Sequence, residues 1–266
     1  QSFDDSLLKI MERYEKYGSG YEIIKRLESA HGVFDTLNID MIFNFPSQTL
    51  KMVERDVKTI IDSGIEQVTF YPLMVSTATK KILAEKFGRI SYGKEKKFYN
   101  LILKELQMAG YMPASAWCFS HEKKMIDEYI VNYEDYAGVG SGSFGYIDGK
   151  IFADTFSIEQ YLNLINKGNL PIIAQKIFSK KEQMRYDFLM KLFGRTLDIE
   201  ILKGKYNNSF LKYLWPEMLF FKLAGGIRKT KNNEIVLTKK GLYFWVIMMR
   251  EFFTGVNNFR DQCRTQ

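Results

Sequence analysis

The sequence predicts an α/β protein in which a parallel sheet with alternating helices is followed by a mainly helical module. Apolar helical periodicity alternates with short apolar strands up to about residue 119. Past about residue 169 the strands give way to helices and one hairpin pattern. Charge changes as well: residues 1–169 carry 20 Lys and Arg against 23 Asp and Glu, whereas residues 170–266 carry 18 against 8. We therefore expect two domains, 1–168 and 169–266.

The first part of the chain follows the order helix, strand, helix, strand. Spacing of apolar residues and capping signals predict helices over residues 4–14, 21–30, 50–61 and 94–109, and strands over 38–46, 67–71 and 114–119. This order is typical of a parallel α/β sheet or barrel.

Asp40 stands out in the strand over residues 38–46, whose apolar character predicts burial on both faces. A carboxylate in such a run costs several kcal/mol unless a partner satisfies it. Two interpretations stay open: a structural carboxylate paired with arginine or backbone N–H groups, and a carboxylate that faces a ligand or a cation.

Residues 136–149 are the most glycine-dense stretch and include Gly138, Gly140, Gly142 and Gly145. Glycine lets the backbone approach a ligand or another strand closely. The stretch is not the dinucleotide fingerprint, because no G-x-G-x-x-G opens a helix here. By itself it is a weak signal, more typical of packing than of binding.

The second module has the outline of a winged-helix-like domain. A capping box of Ser179 and Glu182 begins a helix that ends near Gly194, and short helices are expected around residues 199 and 219. A hairpin over 227–237 turns at 232–233, and Thr238 caps a last helix. DNA binding is a rival function, but the last helix is nearly all apolar and must be buried, so nucleic acid is disfavoured as a partner.

Composition narrows the classes of function. With 266 residues and 46% apolar content the chain can bury a large core. No apolar run approaches the roughly 18 residues of a membrane span, and residues 1–6 are not a signal peptide, so we expect a cytoplasmic protein without a membrane partner.

Cys118 and Cys263 belong to no C-x-x-C pattern, so neither a disulfide framework nor a metal site made from several thiolates is expected. The chain lacks an initial Met and opens on a helix cap, from which we expect a longer parent protein.

Several short motifs occur together in a characteristic order: Gln1-Ser2-Phe3, Arg13, Asp40-Met41-Ile42-Phe43-Asn44-Phe45-Pro46, Gln48-Thr49-Leu50 and Gly138-x-Gly140-x-Gly142. In this combination the chain resembles the oxygen-independent coproporphyrinogen III oxidase family of radical S-adenosylmethionine enzymes. The resemblance implies the C-terminal portion of a partial (β/α)6 radical SAM barrel, followed by a mainly helical, winged-helix-like domain.

The resemblance also implies roles for individual residues. Gln1, Arg13 and Asp40 take the positions that help to hold S-adenosylmethionine, and Gly138, Gly140 and Gly142 are candidate substrate contacts. The family's 4Fe-4S cluster is held by a Cys-x-x-x-Cys-x-x-Cys motif that precedes Gln-Ser-Phe, and this sequence contains no such motif. We therefore expect this chain alone to be inactive, and to need the missing N-terminal half of the barrel and an electron donor for the cluster.

The leading functional hypothesis is an oxidoreductase that acts on a tetrapyrrole, a porphyrinogen or haem, in the manner of coproporphyrinogen III oxidase. Its alternative is a haem chaperone that binds without turnover. Such relatives carry a His-Asn-x-x-Tyr-Trp motif, and the corresponding residues 127–132 have no His and no Trp, which argues against that role. His31 and His121 remain candidate haem ligands.

Overall fold

The computed structural model describes residues 1–121, 133–207 and 209–264. By their contacts the residues form two units, the first over Gln1–Asp127 and the second over Glu128–Gln266. This division falls earlier in the chain than the domain boundary that the sequence suggested at 168/169. In the described part of the chain, no helix has both the length and the apolar character needed to cross a bilayer.

Over residues 1–121, the described part of the first unit, helices alternate with four short strands. Its elements are α1 (Asp5–Ile10), α2 (Tyr14–Tyr17), α3 (Gly20–Ala30), β1 (Asn38–Phe43), α4 (Leu50–Ser63), β2 (Gln67–Pro72), α5 (Thr77–Phe87), α6 (Tyr92–Met108), β3 (Met112–Pro113) and β4 (Cys118–Ser120). The predicted helices over 50–61 and 94–109 and the strands around 40 and 69 are confirmed. Helix α5 was not predicted, because its apolar residues follow no clear helical spacing.

The four strands form one sheet in the order β1-β2-β4-β3. Strands β1 and β2 are parallel, with Asp40 opposite Thr69. Strand β4 runs antiparallel to β2, so the strand that follows α6 does not continue the parallel pattern. Helix α6 leads into the β3–β4 hairpin, and a tight hairpin makes its strands antiparallel.

One face of this sheet is apolar. Ile39, Met41 and Phe43 of β1 are buried there, as are Val68 and Phe70 of β2. The ring of Phe43 stacks on Tyr99 of α6, with 6.4 Å between the ring centres. Fully burying such a side chain contributes about 1.5–3 kcal/mol, so this face supplies much of the stability of the unit.

The second unit contains two small antiparallel sheets among five helices of the described residues. Its elements are β5 (Phe144–Ile147), β6 (Lys150–Asp154), α7 (Ile158–Asn166), β7 (Ile172–Ile177), α8 (Lys180–Phe193), β8 (Thr196–Asp198), α9 (Ile199–Tyr206), α10 (Ser209–Leu223), β9 (Ile227–Lys229), β10 (Glu234–Leu237) and α11 (Lys239–Arg264).

The first of these sheets explains why the contacts divide the chain before residue 168. Its order is β5-β6-β7, so the hairpin that follows the glycine-dense stretch pairs with a strand beyond residue 169. Strand β7 was missed by the sequence reasoning because four of its six residues are exposed and show no regular alternation of apolar side chains.

The second sheet, β8-β10-β9, includes the predicted hairpin. Asn233 at its turn has a φ of 62°, which asparagine tolerates better than most residues. Thr238 caps α11 by accepting a hydrogen bond from the Gly241 N–H at 3.0 Å, as predicted. Leu242, Trp245 and Met249 are buried, which confirms the expectation for the last helix.

Candidate functional site

Asp40 lies on the polar face of the first sheet, and its side chain is exposed. The prediction of a strand buried on both faces is therefore wrong. Burial alternates along β1, so that Ile39, Met41 and Phe43 face the helices whereas Asp40 faces the opposite side. The side-chain amide of Asn38 donates a hydrogen bond of 2.9 Å to Asp40 Oδ1, which orients the carboxylate.

The polar face continues onto β2. Gln67 Nε2 and Thr69 Oγ1 donate hydrogen bonds to Asn38 Oδ1 at 3.1 and 3.2 Å, and both side chains are buried. These contacts link the two strands through side chains and fix Asn38 beside Asp40. The sequence reasoning missed Asn38, Gln67 and Thr69, although their spacing of two residues along each strand is the signal of a polar sheet face.

Gln1 lies along the free edge of β1, where its carbonyl oxygen accepts a hydrogen bond of 2.9 Å from the Ile42 N–H. The charges of Asp56, Asp40 and Arg13 all act at the backbone nitrogen of Gln1. Gln1 is thus within electrostatic range of both Arg13 and Asp40. The structure brings the three predicted cofactor residues into one region.

Gln1 and Arg13 also share a cavity of about 460 Å³, whose wall includes Leu8, Tyr17 and Arg26. The guanidinium of Arg13 lies 5.8 Å from the ring centre of Tyr17, and Arg26 Nη1 donates to the Tyr17 carbonyl oxygen. Arg26 was not singled out from the sequence. With Arg13, Arg26 gives the wall of this cavity two cationic side chains.

Ser2, in the Gln-Ser-Phe motif, has a structural role. Its hydroxyl donates to Asp56 Oδ2 at 2.8 Å, and the Phe3 N–H donates to Asp56 Oδ1 at 2.9 Å. Burial raises the pKa of Asp56 to about 6, although the hydrogen bonds from Phe3 and Ser2 act in the opposite direction. The motif thereby attaches the chain before α1 to helix α4.

The Gln48-Thr49 motif shapes the turn after β1. Asn44 has a φ of 75°, and its N–H donates to Gln48 Oε1 at 2.7 Å. Thr49 Oγ1 accepts from the Met52 N–H at 3.3 Å and caps α4. Asparagine is one of the few residue types besides glycine that adopt a left-handed backbone readily. These residues position the end of β1.

The three candidate substrate-contact glycines lie in the loop before β5, in the second unit. A Cβ on Gly138 would overlap the Phe144 carbonyl, and one on Gly142 would meet the Phe156 ring at 2.9 Å. Gly140 has open space around it, and its N–H donates to Tyr161 Oη at 3.1 Å. Close packing therefore explains Gly138 and Gly142, and a role in substrate binding stays a prediction for all three.

The histidines and cysteines do not converge. His31 Nε2 lies 3.4 Å from Glu66 Oε1, and the ring of His121 packs on Tyr111 at 3.8 Å between centres. Cys118 is buried in β4, whereas Cys263 lies in α11. No three His, Cys, Asp or Glu side chains within 1–121, 133–207 and 209–264 are grouped to hold a metal ion. The residues described thus do not fit a 4Fe-4S cluster, whereas a guanidinium, an amide and a carboxylate near one another do fit the carboxylate and ribose of S-adenosylmethionine.

Comparison with known proteins identifies relatives for nearly the whole chain. It is 26% identical to the haem chaperone HemW of Lactococcus lactis over 97% of this chain and 69% of that protein. It is 24% identical to the haem chaperone HemW of Bacillus subtilis, over 91% of this chain and 64% of that protein. The chain thus spans about two thirds of the length of these relatives. No family model matches.

Among solved structures, the chain resembles the coproporphyrinogen III oxidase of Escherichia coli, which is described as a radical SAM enzyme. The TM-score is 0.71 over 94% of this chain and 62% of that structure. The sequence identity is 16%, so this likeness shows the α/β fold alone. The predicted α/β fold class is confirmed.

The relatives overturn the expectation that this chain comes from an oxidoreductase like coproporphyrinogen III oxidase. The curated proteins that match over 91–97% of the chain are named haem chaperones, and the oxidase matches in fold at much lower identity. The motifs behind the expectation could not separate the two functions. Ser2, Gln48 and Thr49 stabilise the fold in this structure, and such residues are needed whether or not a substrate is turned over.

Residues 127–132, whose lack of His and Trp argues against a haem chaperone, lie outside the described residues. The relatives reported above are nevertheless named haem chaperones. Sequence and fold together confirm the resemblance of this chain to the coproporphyrinogen III oxidase-like radical S-adenosylmethionine family.

Proposed function

We propose that the chain is part of a haem chaperone-like protein that binds haem and passes it on without turnover. The observation that carries this proposal is the similarity to proteins named haem chaperones over nearly all of the chain. The partner that follows is haem or a closely related tetrapyrrole.

Within this function, we assign Gln1, Arg13 and Asp40 to the binding of S-adenosylmethionine. Arg13 is suited to the carboxylate of the ligand, because a guanidinium forms paired, charge-assisted hydrogen bonds. Asp40, oriented by Asn38, offers a carboxylate acceptor for ribose hydroxyls. S-adenosylmethionine, when reduced by a 4Fe-4S cluster, supplies an adenosyl radical in this family. The described residues provide no ligands for that cluster, so we place its ligands in another part of the parent protein.

The finer architecture belongs to the same proposal. The parallel pair β1–β2 with α4 is consistent with the end of a partial (β/α)6 barrel. The sheet β8-β10-β9 with helices α8 to α11 is consistent with a winged-helix-like domain. We infer that the polar face of β1 and β2 faces the interior of such a barrel, where the cofactor of a radical SAM protein binds.

A titration of the 266-residue chain with haem tests the proposal. We expect the Soret band to shift and saturate with a defined stoichiometry, and the haem extracted afterwards to be chemically unchanged. Serum albumin serves as a positive control for binding, and a protein of similar charge without haem affinity as a negative one. A chain that leaves the haem spectrum unchanged at micromolar concentrations would overturn the proposal.

A further inference from the structure

The second unit contains an apolar pocket that the functions considered above do not use. It has a volume of about 420 Å³ and lies between α9, α10 and the β9–β10 hairpin. We call this cavity the α10 pocket. Its wall is formed mainly by Leu211, Trp215, Leu219, Lys222, Arg228 and Lys229. This volume is within the range of about 300–1,000 Å³ that small-molecule sites occupy.

The wall that α10 contributes is apolar and accessible. Leu211, Trp215 and Leu219 follow one another at intervals of four residues, so they form one stripe on the helix. Their exposed fractions are 37, 60 and 44%. Ile227 and Ile235 of the hairpin are buried at the base. A cluster of large exposed apolar side chains beside a cavity is typical of a binding site rather than of an ordinary surface.

Cations surround this apolar wall. Lys222, Arg228 and Lys229 are exposed, and no carboxylate of the described residues forms an ion pair with them. Lys203, also in the wall, differs because it pairs with Glu200 at 2.8 Å. Three unpaired cations around an apolar cavity favour a ligand that combines an apolar body with negative groups at its edge.

The shape of the wall favours a flat ligand. The indole of Trp215 offers a broad aromatic face, and offset stacking of aromatic rings adds about 0.5–1.5 kcal/mol beyond area burial. A single fatty carboxylate would satisfy one of the three cations, whereas a ring system with two carboxylates can engage two or three. Haem has such a flat apolar body with two propionates.

We propose that the α10 pocket binds haem, with the ring against Trp215 and the propionates toward Lys222, Arg228 and Lys229. This inference rests on the proposed haem chaperone function and adds a place for the ligand. The contact is made through packing and charge, and it requires no histidine ligand. Such binding is suited to a protein that releases haem again.

The test compares haem affinities of the full chain and two variants of equal net charge. The pocket variant carries Lys222→Glu, Arg228→Glu and Lys229→Glu. The control carries Lys150→Glu, Lys180→Glu and Lys181→Glu, three exposed lysines of the same unit outside the pocket. A third variant, Trp215→Ala, removes the aromatic wall without changing the charge. Circular dichroism verifies that each variant is folded.

We expect the pocket variant to bind haem at least roughly tenfold more weakly than the parent chain, because each exposed ion pair with a propionate contributes up to about 1 kcal/mol. The control variant should bind haem within about twofold of the parent chain. Trp215→Ala should weaken binding several-fold. Haem whose propionates are methyl esters should discriminate much less between the parent chain and the pocket variant, because it has no carboxylates for the three cations to bind.

The outcomes separate the two proposals. If the parent chain binds haem and the pocket variant binds it equally well, the pocket assignment is wrong and the haem chaperone proposal stands. If the parent chain does not bind haem, both are overturned. If the control loses as much affinity as the pocket variant, general electrostatic attraction explains the binding and the pocket assignment is wrong.

Discussion

Asp56 shows how one buried carboxylate makes the stability of this fold depend on pH. The pKa of Asp56 is raised to about 6 by burial, above the unfolded value near 3.8. Between these two pH values the folded chain keeps a proton that the unfolded chain loses, so stability falls as pH rises from about 4 to about 6. The loss attributable to this group is about 3 kcal/mol, at about 1.4 kcal/mol per pKa unit.

We predict that Asp56→Asn removes this loss. Asparagine can still accept the Phe3 N–H and can donate to the Ser2 hydroxyl, but it carries no charge at any pH. Urea unfolding from pH 4 to pH 7 should show a free energy of unfolding that declines less for the variant than for the parent chain. Parallel profiles would show that Asp56 is not the titrating group.

Asp40 and Arg13 are the single residues that we propose for the binding of S-adenosylmethionine. If they contact the ribose and the carboxylate of S-adenosylmethionine, Asp40→Asn and Arg13→Gln should each weaken its binding by about tenfold, because each change removes a charge-assisted hydrogen bond. Isothermal titration calorimetry measures the effect. Asp62→Asn, an exposed residue that pairs with Lys58 at 3.6 Å, is the matched control and should leave the affinity unchanged. Equal affinities in all four proteins would contradict the assignment.

Single residues also show what the sequence could and could not predict. The positions of Gln1, Arg13 and Asp40 were found from motifs, and the structure brings them into one region. The surroundings of Asp40 were not predicted correctly, because a run of apolar residues on both sides of a carboxylate does not reveal the pleat that turns it outward. The spacing of Asn38, Gln67 and Thr69 along their strands indicates a polar face, but which of them contact one another follows only from the pairing of the two strands.

At the scale of elements, α11 depends on a close approach of two backbones. Gly241, in its first turn, lies against the Gly226 carbonyl, where a Cβ would overlap the oxygen. Only glycine permits this contact, which holds the start of α11 against the chain that leads into β9. Such contacts between distant residues were invisible in the sequence, although the helix itself and its Thr238 cap were predicted.

The same helix provides a matched pair of substitutions. Gly241→Ala should destabilise the protein by about 3 kcal/mol, because the added methyl group forces two backbones apart. Gly255→Ala should stabilise it by about 0.5–1 kcal/mol, because Gly255 has open space around it and alanine is the better helix former. Thermal unfolding followed by far-ultraviolet circular dichroism compares them. Destabilisation by both variants to the same extent would contradict this account of the contact.

Strands proved harder to predict than helices. Helices α4 and α6 have one apolar side and clear caps, so their periodicity predicted them. Strands β7 and β8 are short or largely exposed, and they are defined by the strands they pair with rather than by their own residues. The antiparallel direction of β4 likewise follows from its pairing with β3.

At the scale of the whole molecule, the comparisons confirm the predicted resemblance to the family and the α/β fold class, but the predicted oxidase activity was wrong. Motifs such as Gln48-Thr49 report on the fold, and related proteins with different functions can share a fold. The oxidase structure and the named haem chaperones cover similar shares of this chain, so the difference lies in the sequence identity, which is 16% for the oxidase and 24–26% for the chaperones. The feature that we assign to haem, the α10 pocket, depends on side chains from α9, α10 and a hairpin that only folding brings together.

The central claim, that this protein carries haem without consuming it, is tested most directly by haem transfer. The 266-residue chain is loaded with one equivalent of haem, separated from free haem and mixed with an excess of apomyoglobin. We predict that the haem moves to apomyoglobin with its spectrum intact, and that the chain then accepts a second equivalent. The account would be contradicted if the chain held no haem after separation, or if the haem were chemically altered before transfer.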